Sequence, residues 1–309
     1  IKFTLSNVNS DKVKEIGVFV VDENGNLDGF TPGTPEFTKA ALEKSQIIFS
    51  ALSNRPNEFP SENIQRILEI DSNTRFKFFT ISEGTIDTAL SQIYANGNTS
   101  LPVVFSDSDL SVENFNSEGF KLQLDSNIQL TTKLTQETVT TGTELQTKKE
   151  LIDLSNITVD SSVSVEVYRE AAFDNLIGFY KITDINGGID IDGDGIADIN
   201  PDDEGYKNAA LTNRITSLDL LKTENQTTAT FNGILEGETI FAPFMIANGT
   251  LNEAINDNAE VFFAFSQGNS DKTDHIRLLG DNTFGFEDMI NGGDKDFNDA
   301  IVKMNIGNG

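Results

Sequence analysis

The chain repeats itself, and the repeat limits what it can fold into. "EIGVFVVDENGNLDG" at Glu15 to Gly29 matches "LIGFYKITDINGGIDIDG" at Leu176 to Gly193: Ile-Gly, an apolar run, then Asp-x-Asn-Gly and an aspartate. "FTPGTPEFTKAAL" (Phe30 to Leu42) aligns without gaps to "INPDDEGYKNAAL" (Ile199 to Leu211), setting Pro32 against Pro201 and Phe37 against Tyr206. "FTISEGTIDTAL" (Phe79 to Leu90) pairs in turn with "FMIANGTLNEAI" (Phe244 to Ile255). Three blocks in one order define a tandem duplication, so two similar units are expected in place of one large one. The first copy is placed at residues 1–126 and the second at 151–309, with a threonine-rich connection at 127–150.

Each copy opens on an alternating strand, "IKFTLS" and "VSVEVY", with one apolar and one polar face. Strand character continues in "RFKFFTI", "LPVVFS", "GFKLQL", "TIFAPFMI" and "AEVFFAFS". One amphipathic helix per copy is predicted. In "EFTKAALEKSQIIFSAL", Phe37, Ala40, Ala41, Ile48, Ala51 and Leu52 recur at three-and-four spacing, and "YKNAALTNRITSLDLL" is the counterpart. The expected fold is mainly β, as two tandem β-sandwich-like domains with about one covering α-helix each. The connection "LTTKLTQETVTTGTELQTKKEL" reads as a hairpin turning near Thr141 and Gly142.

Charge and residue usage exclude several functions. With 49 acidic and 22 basic residues the formal charge is −27, which repels phosphate backbones and anionic membrane surfaces and attracts cations. Nucleic acid is therefore not an expected partner. There is no cysteine and one histidine, so a metal would have to be held by oxygen. No run approaches the roughly 18 apolar residues of a membrane span, and no membrane insertion is expected. The first residues, "IKFTLSNVNS", lack the regions of a signal peptide, so any export signal was removed, lies at the C-terminus, or belongs to a longer precursor. No enzyme is expected: His275, in "KTDHIRLL", has no nucleophile context around it.

"DIDGDGIADINPDD" is the densest acidic stretch. Asp190, Asp192 and Asp194 occupy positions 1, 3 and 5 of an Asp-x-Asp-x-Asp-Gly pattern, and Asp198 falls at position 9. Calcium takes six to eight oxygens, and such a loop turns alternate carboxylates inward, with the backbone carbonyl of Ile196 at position 7 as a further ligand. Position 12 is Pro201 where the helix-loop-helix calcium motif has glutamate, so the loop is similar to the helix-free aspartate loops of dockerins and thrombospondin-type repeats. The competing reading is an acidic surface turn. At the equivalent place the first copy has "DENGNLDG", where a weak site and a bare turn are equally open.

"FGFEDMINGGDKDFNDAIVKM" closes the second copy, and five carboxylates around a glycine turn are hard to keep together without a cation. A solvated acidic hairpin is the alternative. The phrase resembles the Gly-Phe-Glu-Asp, Gly-Gly-Asp-x-Asp-Phe-Asn-Asp signature of a family of secreted bacterial domains of unknown function, common in cyanobacteria and in large calcium-dependent RTX-type adhesins. "REAAFDNLIGFYKITD" and "DHIRLLGDNTFGFED" resemble that family too. The resemblance implies an extracellular or cell-surface calcium-binding β-domain. Carried over by position, Glu287, Asp288, Asp294, Asp296 and Asp299 would be its acidic cluster, and Phe286 and Phe297 its core anchors. The first copy is the degenerate one: "EGFKLQLDSNIQL" keeps Gly119-Phe120 and Asp125 without the cluster. The expected function is a non-enzymatic, calcium-stabilised structural or adhesion module whose partners are cell-surface or matrix components. Two alternatives stay open: a self-assembling surface-layer or fibre subunit that binds copies of itself, and a calcium-dependent glycan-binding module.

Overall fold

A computed structural model of the chain describes residues 1–8, 12–53, 56, 59, 64–107, 109–115, 119–124 and 126–307. The protein is mainly β, in several small antiparallel sheets. The chain divides into two compact units, residues 1–139 with 279–281, and residues 140–278 with 282–309.

The first unit contains strands β1 (Lys2–Val8), β2 (Lys14–Val21), β3 (Gln46–Ala51), β4 (Gln65–Ile67), β5 (Arg75–Ser82), β6 (Val103–Phe105), β7 (Leu110–Ser111), β8 (Phe120–Gln123) and β9 (Ile128–Lys133). They form one sheet in the order β4-β1-β9-β8 and another in the order β3-β2-β5-β6, with β7 also on β5. Alternation in β1 buries Phe3 and Leu5, which meet Ile16 and Val18 of β2 and Phe76 and Phe78 of β5 in one core. The strand β2 has apolar residues on both faces because its other face is also covered: Phe19 packs on Phe37 of helix α1 (Pro35–Lys44).

The second unit contains β10 (Ile152–Asp153), β11 (Ser161–Arg169), β12 (Leu176–Ile182), β13 (Thr227–Leu235), β14 (Ile240–Ala247), β15 (Glu260–Phe263), β16 (Ile276–Gly280, of which Leu279 and Gly280 count with the first unit), β17 (Thr283–Phe286) and β18 (Ala300–Ile306). The sheets run β13-β11-β18-β17-β16 and β10-β14-β12, with β15 also on β14.

Residue contacts carry the duplication into three dimensions. Gly17 of β2 lies opposite Phe79 of β5, and Gly178 of β12 opposite Phe244 of β14. In both places the phenyl ring fills the space a side chain would need, since an added Cβ would come within 2.3 Å and 2.4 Å of it. Around this pair, Phe37 and Phe105 stand 5.5 Å apart in one unit, as do Tyr206 and Phe263 in the other. Thr85 caps helix α2 (Ile86–Asn96) just as Thr250 caps α4 (Leu251–Ile255), each accepting from an amide three residues on.

Three expectations need correction. The predicted helix at Glu36 to Leu52 stops at Lys44, where Ser45 donates its hydroxyl to the Leu42 carbonyl, and Ile48 and Ala51 lie in β3. The apolar residues there suit a strand buried on both faces as well as a helix, and pairing with β2 decides for the strand. Its counterpart α3 covers only Tyr206–Thr212, and each unit holds a second helix, α2 or α4. The predicted hairpin at 127–150 does not form as such. Its first part is β9, paired with β1 and β8, so the first copy's strands run past residue 126, and Gly142 bridges instead to Asp153.

Candidate metal centre

Two places gather carboxylates, and their chemistry differs. The first is the aspartate loop. A bridge between Ile189 and Ile199 closes it at residues 190–198, where the first copy closes the matching bridge, Leu27 to Phe30, with only Asp28 and Gly29 between. Asp190, Asp192 and Asp194 each offer an oxygen within 4.8 Å of the others. Ile196 and Asp198 stand outside that triad, and the Ile196 side chain is exposed.

Most of these carboxylates already have partners. Asp190 accepts from the amides of Gly195 at 2.7 Å and Gly193 at 2.6 Å, which hold its carboxyl below the usual aspartate range. Asp194 accepts from the Ile196 amide at 2.8 Å, and Asp198 from the Ile191 amide at 2.7 Å. The loop is thus a chain of aspartate turns in solvent. In the first copy Asp22 plays the same part, accepting from the amides of Asn24 and Asn26, and Lys44 pairs with Asp28.

The second place lies between β17 and β18, whose hairpin connection spans residues 287–299. The corresponding pair in the first unit, β8 and β9, is joined by residues 124–127. Gly119-Phe120 therefore opens β8 whereas Gly285-Phe286 closes β17, so that sequence match does not place equivalent positions; Asp125 lies outside the described residues. Glu287, Asp294 and Asp296 form one triad of carboxylate oxygens within 4.8 Å, and Glu287, Asp288 and Asp299 form another. All five carboxylates predicted from the sequence meet here, and Phe286 and Phe297 are buried as anchors.

Glu287 is 1% exposed; its Oε2 meets no hydrogen-bond donor among the described residues, and its protonated carboxyl shares a hydrogen bond with Asp299. Burial, then the charges of Asp299, Asp294 and Asp296, push its carboxyl up to about 9. Burial likewise raises Asp299 to about 7, and raises Asp288 despite a hydrogen bond from Asn175. Gly293 wraps the other oxygen so closely that a Cβ there would sit 2.1 Å from Oε1. The cluster grades from Asp294, exposed, to the buried Glu287 and Asp288.

A frame of residues holds the cluster in place, and sequence reading assigned them no role. Asn175, just before β12, donates from Nδ2 to Asp288 at 2.7 Å across 113 residues of sequence. Asp299 accepts at Oδ2 from the Asp288 amide at 2.8 Å, and its carbonyl accepts from the Glu170 amide at 3.0 Å. His275 is buried and stacks on Phe262 at 3.6 Å. Its Nδ1 lies 2.9 Å from the Glu287 carbonyl and its Nε2 3.0 Å from Asp271, which also accepts from the Asn291 amide. Each ring nitrogen thus faces an oxygen atom. Arg277 lies over the Phe297 ring at 4.9 Å. The one signal of this frame was the pair of phrases "REAAFDN" and "DHIRLLG", of which the first stands far from the acids in sequence.

The donor set fits a hard divalent cation: oxygen atoms alone, one of them buried without a partner, in a cradle whose glycine leaves no room for a side chain. The class defined so far is a mainly β protein of two related units, the second with a buried carboxylate cluster between two strands. The model of one family, Domain of unknown function (DUF4114), matches residues 235–307, the stretch that includes β14 to β18 and the whole cluster. No curated protein and no solved structure matches the chain. Among the described residues no helix is long and apolar enough to cross a membrane.

Proposed function

We propose that this chain is an extracellular or cell-surface structural or adhesion module, without enzymatic activity, whose second β-sandwich-like domain is stabilised by calcium. The observation that carries the reading is Glu287, a buried carboxylate with an unpartnered oxygen among four other acids. Such an arrangement is unfavourable in its ionised form unless a cation offsets it, and calcium accepts many oxygens in irregular geometry where magnesium demands an octahedron and retained water. His275 supports a structural role, since both its nitrogens are engaged in holding the hairpin connection.

Melting of chelator-treated protein tests this. A ligand of the native state alone must raise the midpoint, and calcium should do so at up to millimolar concentration, the range of extracellular modules. Magnesium should do so less. An unchanged midpoint would sink the reading.

A second reading, self-assembly into a surface layer or fibre, is favoured by β13. This nine-residue strand stands at a sheet edge with Thr227 and Thr228 exposed. Sedimentation of the full chain at rising concentration, with and without calcium, separates the two; a monomer throughout counts against assembly.

A further inference from the structure

We infer that the connection between β17 and β18 holds two divalent cations bridged by Glu287; this rests on the cation reading above. The two carboxylate triads share one member, Glu287. Within each, the oxygens lie inside 4.8 Å of one another, no farther apart than two ligands on opposite sides of a calcium ion about 2.4 Å from each. A carboxylate has two oxygens and about four lone-pair sites, enough to serve both ions. The two oxygens of Glu287 differ in surroundings, Oε1 against Gly293 and Oε2 buried without a partner.

Charge points the same way. With every proton displaced by metal the five carboxylates carry −5; one divalent ion then leaves −5 + 2 = −3 around a buried glutamate, whereas two leave −5 + 4 = −1. The two ion positions also differ in access. Asp294 lies in solvent, where water completes a coordination shell, and Asp288 is buried, with Asp296 and Asp299 half-buried between them.

Counting calcium in the full chain tests the bridge. The Asp190→Asn, Asp192→Asn, Asp194→Asn background removes the exposed loop from the count. After chelation and return to calcium alone, native mass spectrometry and calorimetric titration should find two ions. Asp288→Asn and Asp294→Ala should each leave one, and Glu287→Gln should leave none. A single ion in the background protein, lost alike in all three variants, would overturn the bridge and leave the cation reading intact. No calcium at millimolar concentration would overturn both. The background count decides the matter even if a variant fails to fold.

Discussion

Glu287 concentrates the chemistry of this protein in one side chain. Its sequence neighbours supply acids, but its burial comes from Gly293 on one side and the end of β17 on the other. Without a cation its folded form holds a proton that the unfolded chain releases at 4.5, so its stabilising share is complete below that value and is lost as pH rises through about 9. Asp299 adds to the trend in the window from 3.8 to about 7. Chelated protein should therefore melt lower at about pH 9 than at about pH 5, and calcium, which competes with those protons, should stabilise more at the higher pH. Glu287→Gln should flatten both trends in calorimetric scans. An unaltered pH profile in that variant would remove Glu287 from the account.

At the level of elements, the two copies use the same frame with different polar fittings. Where Phe19 and Phe37 meet edge to face in the first unit, Tyr180 and Tyr206 meet in the second, their hydroxyls 2.8 Å apart. Tyr206 also lies 2.8 Å from the Gly187 carbonyl, in the turn that leads into the aspartate loop. A loop in solvent is thus anchored to the core by one phenol. Tyr206→Phe leaves both the Tyr180 hydroxyl and that carbonyl short of a partner, at a cost of about 1–3 kcal/mol. Adding Tyr180→Phe, which reproduces the ring pair of the first unit, should cost less than the sum of the single changes. Urea unfolding of the four proteins measures this, and strict additivity would show that the hydroxyls do not act together.

For the whole molecule, duplication separates what the fold needs from what each copy has added. Gly17 with Phe79, Gly178 with Phe244 and the threonine caps of α2 and α4 occur in both units. The aspartate loop and the long β17–β18 connection occur in one. Replacing residues 190–198 by Asp-Gly, the pair that spans the same bridge in the first unit, should leave the fold intact with a stability change of about 1 kcal/mol or less. Calcium should still raise the melting point of that variant, because the buried cluster is untouched. Loss of the calcium effect would move the site to the loop.

Much of this was legible in the sequence. Fixed spacing marked the duplication, alternation marked β1 and β11, and a string of acids around two glycines marked all five members of the buried cluster, since residues close along the chain must stay close in space. The end of α1 at Lys44 was not legible, because an apolar run suits a helix or a twice-covered strand equally until a partner strand is present. Nor was the contrast between the two acidic places, as both look alike on the page. Tertiary structure decided it. It turned the amides of the aspartate loop onto their own carboxylates in solvent, and it buried Glu287 in the β17–β18 connection, with His275 from the preceding strand region beside it and Asn175 brought in from far along the chain. Composition determines how much charge a protein has, whereas only packing determines which charge loses its water.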